Sequence, residues 1–220
     1  MVELIRGLSA DRVRANLERV RGEIWAAGRD ASEVEILAAV KYVPDDELEV
    51  LAEAGIELVG ENRAQDLARR AEAFGARFTW DFIGVLQSRK VRTVLPYVRY
   101  IHSVASDSAL RQLERYGDER TEILVEVNVA GEEGKAGVAP EELRPFLERS
   151  PVRVVGLTTM PPVASDPEQS RPYFAALRRL ADRLGLRQLS MGTSQDYVVA
   201  VQEGATIIRL GTTLYRQSAS

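Results

Sequence analysis

Apolar residues follow two rhythms along this chain: short, nearly unbroken runs, and longer stretches in which they return every third or fourth position. The first long stretch begins after Ser9, a residue suited to a helix N-cap. It carries Val13, Leu17, Val20 and Ile24 on one face and ends near Ala27-Gly28. The first short run, 34–40, reads VEILAAV and ends on a single amine, Lys41. Tyr42, Val43 and Pro44 then turn the chain, and Asp45 and Asp46 open a helix that holds Leu48, Val50, Leu51 and Ala54 and stops at Gly55. Further strands are predicted at 56–60, 78–84, 99–104, 123–129, 152–159, 188–191 and 206–210. Helices are predicted at 63–74, 88–95, from 107 onward, 140–148, 167–184 and 195–203. Eight strands separated by seven helices, with one helix ahead, predict an α/β fold: a single (β/α)₈ TIM barrel spanning 1–220 as one domain. The final helix after strand eight is expected to be missing, with the extra N-terminal helix covering the gap.

In such a barrel the chemistry-bearing residues gather at the carboxyl ends of the strands. Lys41 follows strand one, in phase with Leu37 and the small Ala39. A lysine held partly out of water loses proton affinity and can attack a carbonyl to give a Schiff base; a lysine that snorkels into solvent is the alternative. Glu61 and Asn62 follow strand two, Gly84 with Gln87 and Ser88 strand three, and Ser103 ends strand four. Asn128 precedes the loop GEEGKAG, whose Glu132, Glu133 and Lys135 read as a solvated charged segment, and Met160 follows strand six.

The last two loops are the sharpest feature. Ser190-Met191-Gly192-Thr193-Ser194-Gln195-Asp196 leads straight into a helix, and Arg209-Leu210-Gly211-Thr212-Thr213 follows strand eight. Backbone N–H groups at a helix start, glycine for close approach and hydroxyls suit a phosphate dianion. Alternatively, Ser194 only caps its helix and Gly211 only turns the chain. Arg209, in phase with Ile207, is expected to point into the barrel, where it needs an anion or a carboxylate such as Glu61. An amine at the mouth, a phosphate cup diagonally opposite and an arginine between them would together suit an aldehyde that carries a phosphate.

Composition removes competing chemistries. The chain has 220 residues, a formal net charge of −4 and no basic run, so nucleic acid is not expected as a partner. No apolar stretch approaches the length of a membrane span, and the amino terminus lacks a signal-peptide core, so a cytoplasmic location with no membrane contact is expected. Zero cysteines exclude thiolate nucleophiles and zinc–sulfur sites, and a lone histidine, His102, excludes any site that needs two imidazoles. No metal site is expected. Lysine chemistry, carboxylate chemistry or simple binding remain.

The ordered segments AAVK, GENR, FIGVLQSRK, IHSV, VNVAGEEGKAGV, GLTTM, SMGTSQDY and IRLGT resemble the pyridoxal-phosphate homeostasis proteins, whose barrel is similar to the N-terminal domain of alanine racemases. The resemblance covers about residues 34–213. It implies that Lys41 carries pyridoxal 5′-phosphate as a Schiff base, that Ser194, Gly211 and Thr212 hold the phosphate, and that backbone amides around Gly192 and Thr193 help. It further places Arg209 at the pyridine nitrogen, Asn62 beside the lysine, and Ser190 and Met191 along the ring edge. The chain departs from the family pattern at four places. Asp81 stands where histidine is usual, Val40-Lys41-Tyr42 replaces Ser-Lys-Thr, Thr193-Ser194 replaces Met-Ser, and Tyr215-Arg216 replaces Phe-Gly.

The function implied is to bind, buffer and deliver the cofactor, with little or no turnover of amino acids. Pyridoxal-phosphate-dependent apoenzymes are the implied partners, and a monomer is expected. A positive arginine at the ring nitrogen supports this reading because it disfavours a proton there and weakens the ring as an electron sink. The rivals are a minimal racemase, a Schiff-base aldolase, and a cofactor-free interaction protein in which Lys41 is incidental.

Overall fold

A computed structural model describes residues 4–216. Helix α1 (Ala10–Ala26) comes first, and strands then alternate with helices: β1 (Glu35–Ala39), α2 (Leu48–Glu53), β2 (Leu58–Glu61), α3 (Ala64–Phe74), β3 (Thr79–Phe82), α4 (Val91–Val94), β4 (Tyr100–Val104) and α5 (Asp107–Tyr116). The second half holds β5 (Glu122–Glu126), α6 (Leu143–Glu148), β6 (Arg153–Thr158), α7 (Arg171–Leu184), β7 (Gln188–Thr193), α8 (Tyr197–Gln202), β8 (Ile207–Leu210) and α9 (Thr212–Tyr215). Every strand pairs in parallel with the next, and the sheet closes when β8 pairs with β1, with Ala38 opposite Leu210. This is the TIM barrel that the alternating pattern predicts.

Strand alternation divides the core in two. Ala38, Val59, Trp80, Ile101, Val125, Leu189 and Ile208 face outward into one continuous layer with the helices. Phe174, Leu177 and Ala181 on α7 complete that layer, and each fully buried Leu or Phe stabilises the fold by about 1.5–3 kcal/mol. Leu37, Leu124 and Ile207 are buried on the other face, inside the barrel. Gly60 makes that interior possible: a Cβ there would lie 2.4 Å from Leu37 Cδ2 and 2.8 Å from Ile83 Cδ1. Asp81, His102, Thr158, Ser190 and Arg209 are also buried, so part of the interior is polar.

Two expectations change and one holds. The chain after β8 is not bare but forms one helical turn, α9. Helix α1 does cover that side, since Asn16 Nδ2 donates to the carbonyls of Leu214 and Arg216, both at 3.0 Å. Ser9 occupies the N-cap position of α1 with no side-chain capping bond; its carbonyl accepts Val13 N–H at 2.9 Å instead. Among the described residues no helix is long and apolar enough to cross a membrane, and no cluster of His, Asp and Glu could hold a metal ion.

Candidate functional site

β1 ends at Ala39, so Lys41 sits on the turn above the strand and not within it. Its side chain is exposed, and Nζ lies 4.6 Å from the centroid of the Tyr42 ring. The amine is therefore not held out of water; of the two readings of the sequence, the lysine that reaches into solvent is the one the structure shows. What is fixed is the backbone around it. Arg70, buried on α3, donates from Nη1 to Val40 O at 3.0 Å and from Nη2 to Val43 O at 2.7 Å. Ile5 N–H donates to Tyr42 O at 2.8 Å, and the Tyr215 hydroxyl donates to Ala39 O at 3.2 Å. Carbonyls on both sides of Lys41 are thus held from α3, from the N-terminal segment and from α9.

Glu61 does not reach Arg209. Its carboxylate accepts Arg70 Nη1 at 2.6 Å and the N–H groups of Asn62 at 2.6 Å and Arg63 at 3.3 Å. Burial pushes this carboxyl above the ordinary range, against the pull of Arg70 and the two amides. The turn that carries Asn62 and the turn that carries Lys41 therefore share one buried ion pair. Asn62 is half-buried, and its Oδ1 is enclosed without a hydrogen-bond partner among the described residues.

Closure of the barrel corrects the placement of the anion cup. Because β8 neighbours β1, the loop after β8 lies beside the lysine turn, not across the mouth from it. A Cβ at Gly211 would meet only Ala39, its carbonyl oxygen at 3.8 Å and its Cβ at 3.9 Å, so space remains above the glycine. Ser194 does not cap α8. Its Oγ accepts the N–H groups of Gly211 at 3.2 Å and Thr213 at 3.3 Å, tying the loop after β7 to the loop after β8. Two amides converging on one neutral oxygen at long range would bind an anion more strongly. Thr212, at the start of α9, is half-buried beside them.

Other expected donors are engaged. Thr193 N–H and its hydroxyl bond Asp196 Oδ1 at 2.7 and 3.1 Å, and Asp196 Oδ2 accepts the Ser170 hydroxyl at 2.9 Å. Gly192 has φ +90°, and a Cβ there would lie 2.6 Å from Ala200 Cβ and 2.9 Å from Tyr197 Cα. Only glycine lets β7 turn this tightly into α8.

Arg209 points into the barrel as its phase requires. Nη1 donates to Thr158 Oγ1 at 2.5 Å and Ser190 Oγ at 3.1 Å, and Nη2 donates to Thr159 O and Met160 Sδ, both at 2.9 Å. Burial pulls its proton affinity down, while the carboxylates of Glu126 and Asp196 oppose that. Ser190 shares this interior face. Met191 does not: the pleat turns it outward into the helix layer, where it is fully buried, so its side chain cannot lie along a ring bound inside. His102 bonds the side chains of Asp81 and Ser190, each at 2.9 Å.

Arg70 and Tyr215 were not among the expected site residues. A signal for Arg70 existed: with Ala64 and Leu67 it completes the buried stripe of α3 at spacings of three. An arginine in an apolar phase marks a guanidinium with internal acceptors.

No family model matches the chain. It is 38% identical to a pyridoxal phosphate homeostasis protein of Aquifex aeolicus, over 94% of this chain and 97% of that protein. A protein of the same name from Pseudomonas aeruginosa is 34% identical, over 94% of each chain. PipY of Synechococcus elongatus, solved with PLP bound, superposes with a TM-score of 0.79 at 28% identity, over 93% of this chain and all of that one. The alanine racemase of Corynebacterium glutamicum shares the fold, with a TM-score of 0.71 at 14% identity over 97% of this chain and 62% of that one.

Proposed function

The chain belongs to the pyridoxal phosphate homeostasis protein family, and on that premise we propose that it binds pyridoxal 5′-phosphate at the barrel mouth and stores it for delivery to apoenzymes. When bound, this cofactor supplies an aldehyde open to attack by an amine and an electron-withdrawing ring. Lys41 provides the amine, on a turn whose carbonyls are clamped by Arg70 and Tyr215. The N–H groups of Gly211 and Thr213, with Ser194 Oγ and the half-buried Thr212 beside them, provide the anion cradle. Gly192 and Thr193 act through the turn they build, and Ser190 acts through Arg209. The unpartnered Oδ1 of Asn62 offers an acceptor near the lysine turn.

The observation that carries this reading is the adjacency of the lysine turn and the cradle at the paired ends of β1 and β8. Arg209 supports storage over amino-acid turnover, because a guanidinium facing the ring nitrogen disfavours a proton at that atom. A monomeric cytoplasmic carrier is the form proposed.

An absorbance spectrum before and after borohydride treatment, with mass mapping of the modified peptide, tests the proposal. Yellow protein with the label on Lys41, lost in Lys41→Ala, is the expected result. Protein that stays colourless and takes up no added pyridoxal phosphate would refute it.

A further inference from the structure

Polar side chains inside the barrel, from Arg209 through Ser190 and His102 to Asp81, form one continuous chain of hydrogen bonds. At the mouth end, Arg209 Nη1 donates to Ser190 Oγ at 3.1 Å. Ser190 Oγ lies 2.9 Å from His102 Nδ1, and His102 Nε2 lies 2.9 Å from Asp81 Oδ2. Arg99 then donates to Asp81, from Nε at 3.1 Å and from Nη2 at 2.8 Å, and from Nη1 to Glu35 at 2.5 Å. Asp81, His102 and Ser190 are each at most 1% exposed. Arg99 and Glu35 are partly exposed at the amino-terminal ends of β4 and β1, so the chain spans the barrel from its floor to the mouth.

The chemistry of the end groups gives this chain a direction. A guanidinium only donates, and an ionised carboxylate only accepts. Asp81, which takes two bonds from Arg99, must receive a proton-bearing Nε2–H from His102. A neutral His102 then presents a bare Nδ1, which accepts the Ser190 hydroxyl. Ser190 keeps its lone pairs for Arg209. Neutral His102 with the proton on Nδ1 would set a bare nitrogen against a carboxylate in a site sealed from water, an arrangement that burial makes costly.

We propose that Asp81, His102 and Ser190 are positioning residues that form one directed relay, which aims Arg209 at the site and transmits a change at the mouth to the core of the barrel. That Arg209 meets a cofactor ring rests on the function proposed above; the relay itself does not.

His102 is the only histidine of the chain, so histidine-selective ¹⁵N labelling gives one set of imidazole signals from the intact protein. The expected spectrum at neutral pH is a single neutral tautomer, pyrrole-like at Nε2 and pyridine-like at Nδ1. Ser190→Ala should move the Nδ1 signal strongly and leave Nε2 nearly in place, and Ser190→Thr, which keeps the hydroxyl, should restore it. Asp81→Asn should abolish the single tautomer. Pyridoxal phosphate added to the wild-type protein should shift Nδ1, and that shift should be absent from Ser190→Ala at cofactor concentrations that saturate the variant. An Nδ1–H tautomer, or cofactor uptake with an unmoved His102, would overturn the relay. If no cofactor is taken up, the binding proposal falls alone. Arg209→Lys in the cofactor-free protein then decides the relay: a shifted Nδ1 supports it and an unmoved one ends it.

Discussion

Arg70 Nη1 lies 2.6 Å from Glu61 Oε2, and this buried pair joins the two turns that frame the lysine. The same nitrogen also holds Val40 O, Nη2 and Nε hold Val43 O and Asp45, and Glu61 holds the amides of Asn62 and Arg63. Breaking a buried pair by removing one partner leaves an uncompensated charge, at a cost of about 3–5 kcal/mol. Arg70→Met is therefore expected to lower stability by about that amount in urea unfolding. Arg70→Met combined with Glu61→Gln should recover part of the loss. Arg70→Lys should not restore wild-type behaviour, because an ammonium cannot reproduce the planar fork. Borohydride labelling of Lys41 should fall along with the clamp.

The cradle makes a separate prediction, because it discriminates between ligands. Ser194 Oγ is the point on which the Gly211 and Thr213 amides converge. Ser194→Ala leaves both amides misaligned for an anion and removes one hydroxyl. A lost hydrogen bond to a charged group is worth about 1.5–3 kcal/mol, or roughly 10- to 150-fold in affinity. Titration should show that loss for pyridoxal phosphate and almost none for pyridoxal, which has no phosphate. Equal weakening of both ligands would place the phosphate elsewhere.

Which of these parts could be read from the sequence follows from how local each one is. The strand and helix order was legible because apolar phase is a local signal, and so was Arg209, whose inward aim follows from its phase with Ile207. Period two alone leaves the Lys41 environment open between burial and solvent, because the strand ends at Ala39, two residues before it. Sequence alone sets the cup diagonally opposite the lysine, because closure of β8 on β1 is a long-range fact that no window of sequence contains. Arg70 contacts residues up to 30 positions away, and two of its partners are backbone carbonyls, which carry no sequence signature. In the sequence Asp81 is only a departure from the family pattern; its pairing with His102 and Arg99 needs the barrel interior to be assembled.

His102 makes stability depend on pH in a definite direction. Burial lowers its proton affinity below the ordinary imidazole value, with Asp81 pulling the other way and Arg209 and Arg99 adding to the fall. As pH drops through the unfolded value near 6.5, the unfolded chain takes a proton that the native chain refuses. Stability from this group is complete above that pH and declines below it, by at most about 1.4 kcal/mol per unit for one proton. Asp81 adds a lower limb. Burial alone would raise its carboxyl, but the bonds from His102 and Arg99 outweigh that and hold it below the ordinary range, so its contribution is lost only at more acidic pH. Urea midpoints at pH 7, 6 and 5 should fall for the wild-type chain and fall less for His102→Gln. Identical slopes would show that the imidazole titrates as freely as in the unfolded chain.

Gly192 carries two costs that can be separated. At φ +90° an L-residue is strained, and an added Cβ would also strike Ala200 Cβ and Tyr197 Cα on α8. The conformational part is about 1–2 kcal/mol. The steric part falls on the first turn of α8, because Tyr197 meets the new atom with backbone. Gly192→Ala is expected to lower stability by about 2–4 kcal/mol in urea unfolding, within the range of overpacked and strained sites. Adding Ala200→Gly removes the nearer contact but not the strain, so the double variant should recover less than half. Ser194 lies two residues beyond Gly192, so displacing α8 also moves the cradle. Pyridoxal phosphate binding should therefore weaken more than pyridoxal binding in the single variant, and the gap should narrow in the double. A stable Gly192→Ala protein with unchanged preference for the phosphorylated ligand would mean that the turn is looser than the packing of Tyr197 and Ala200 implies.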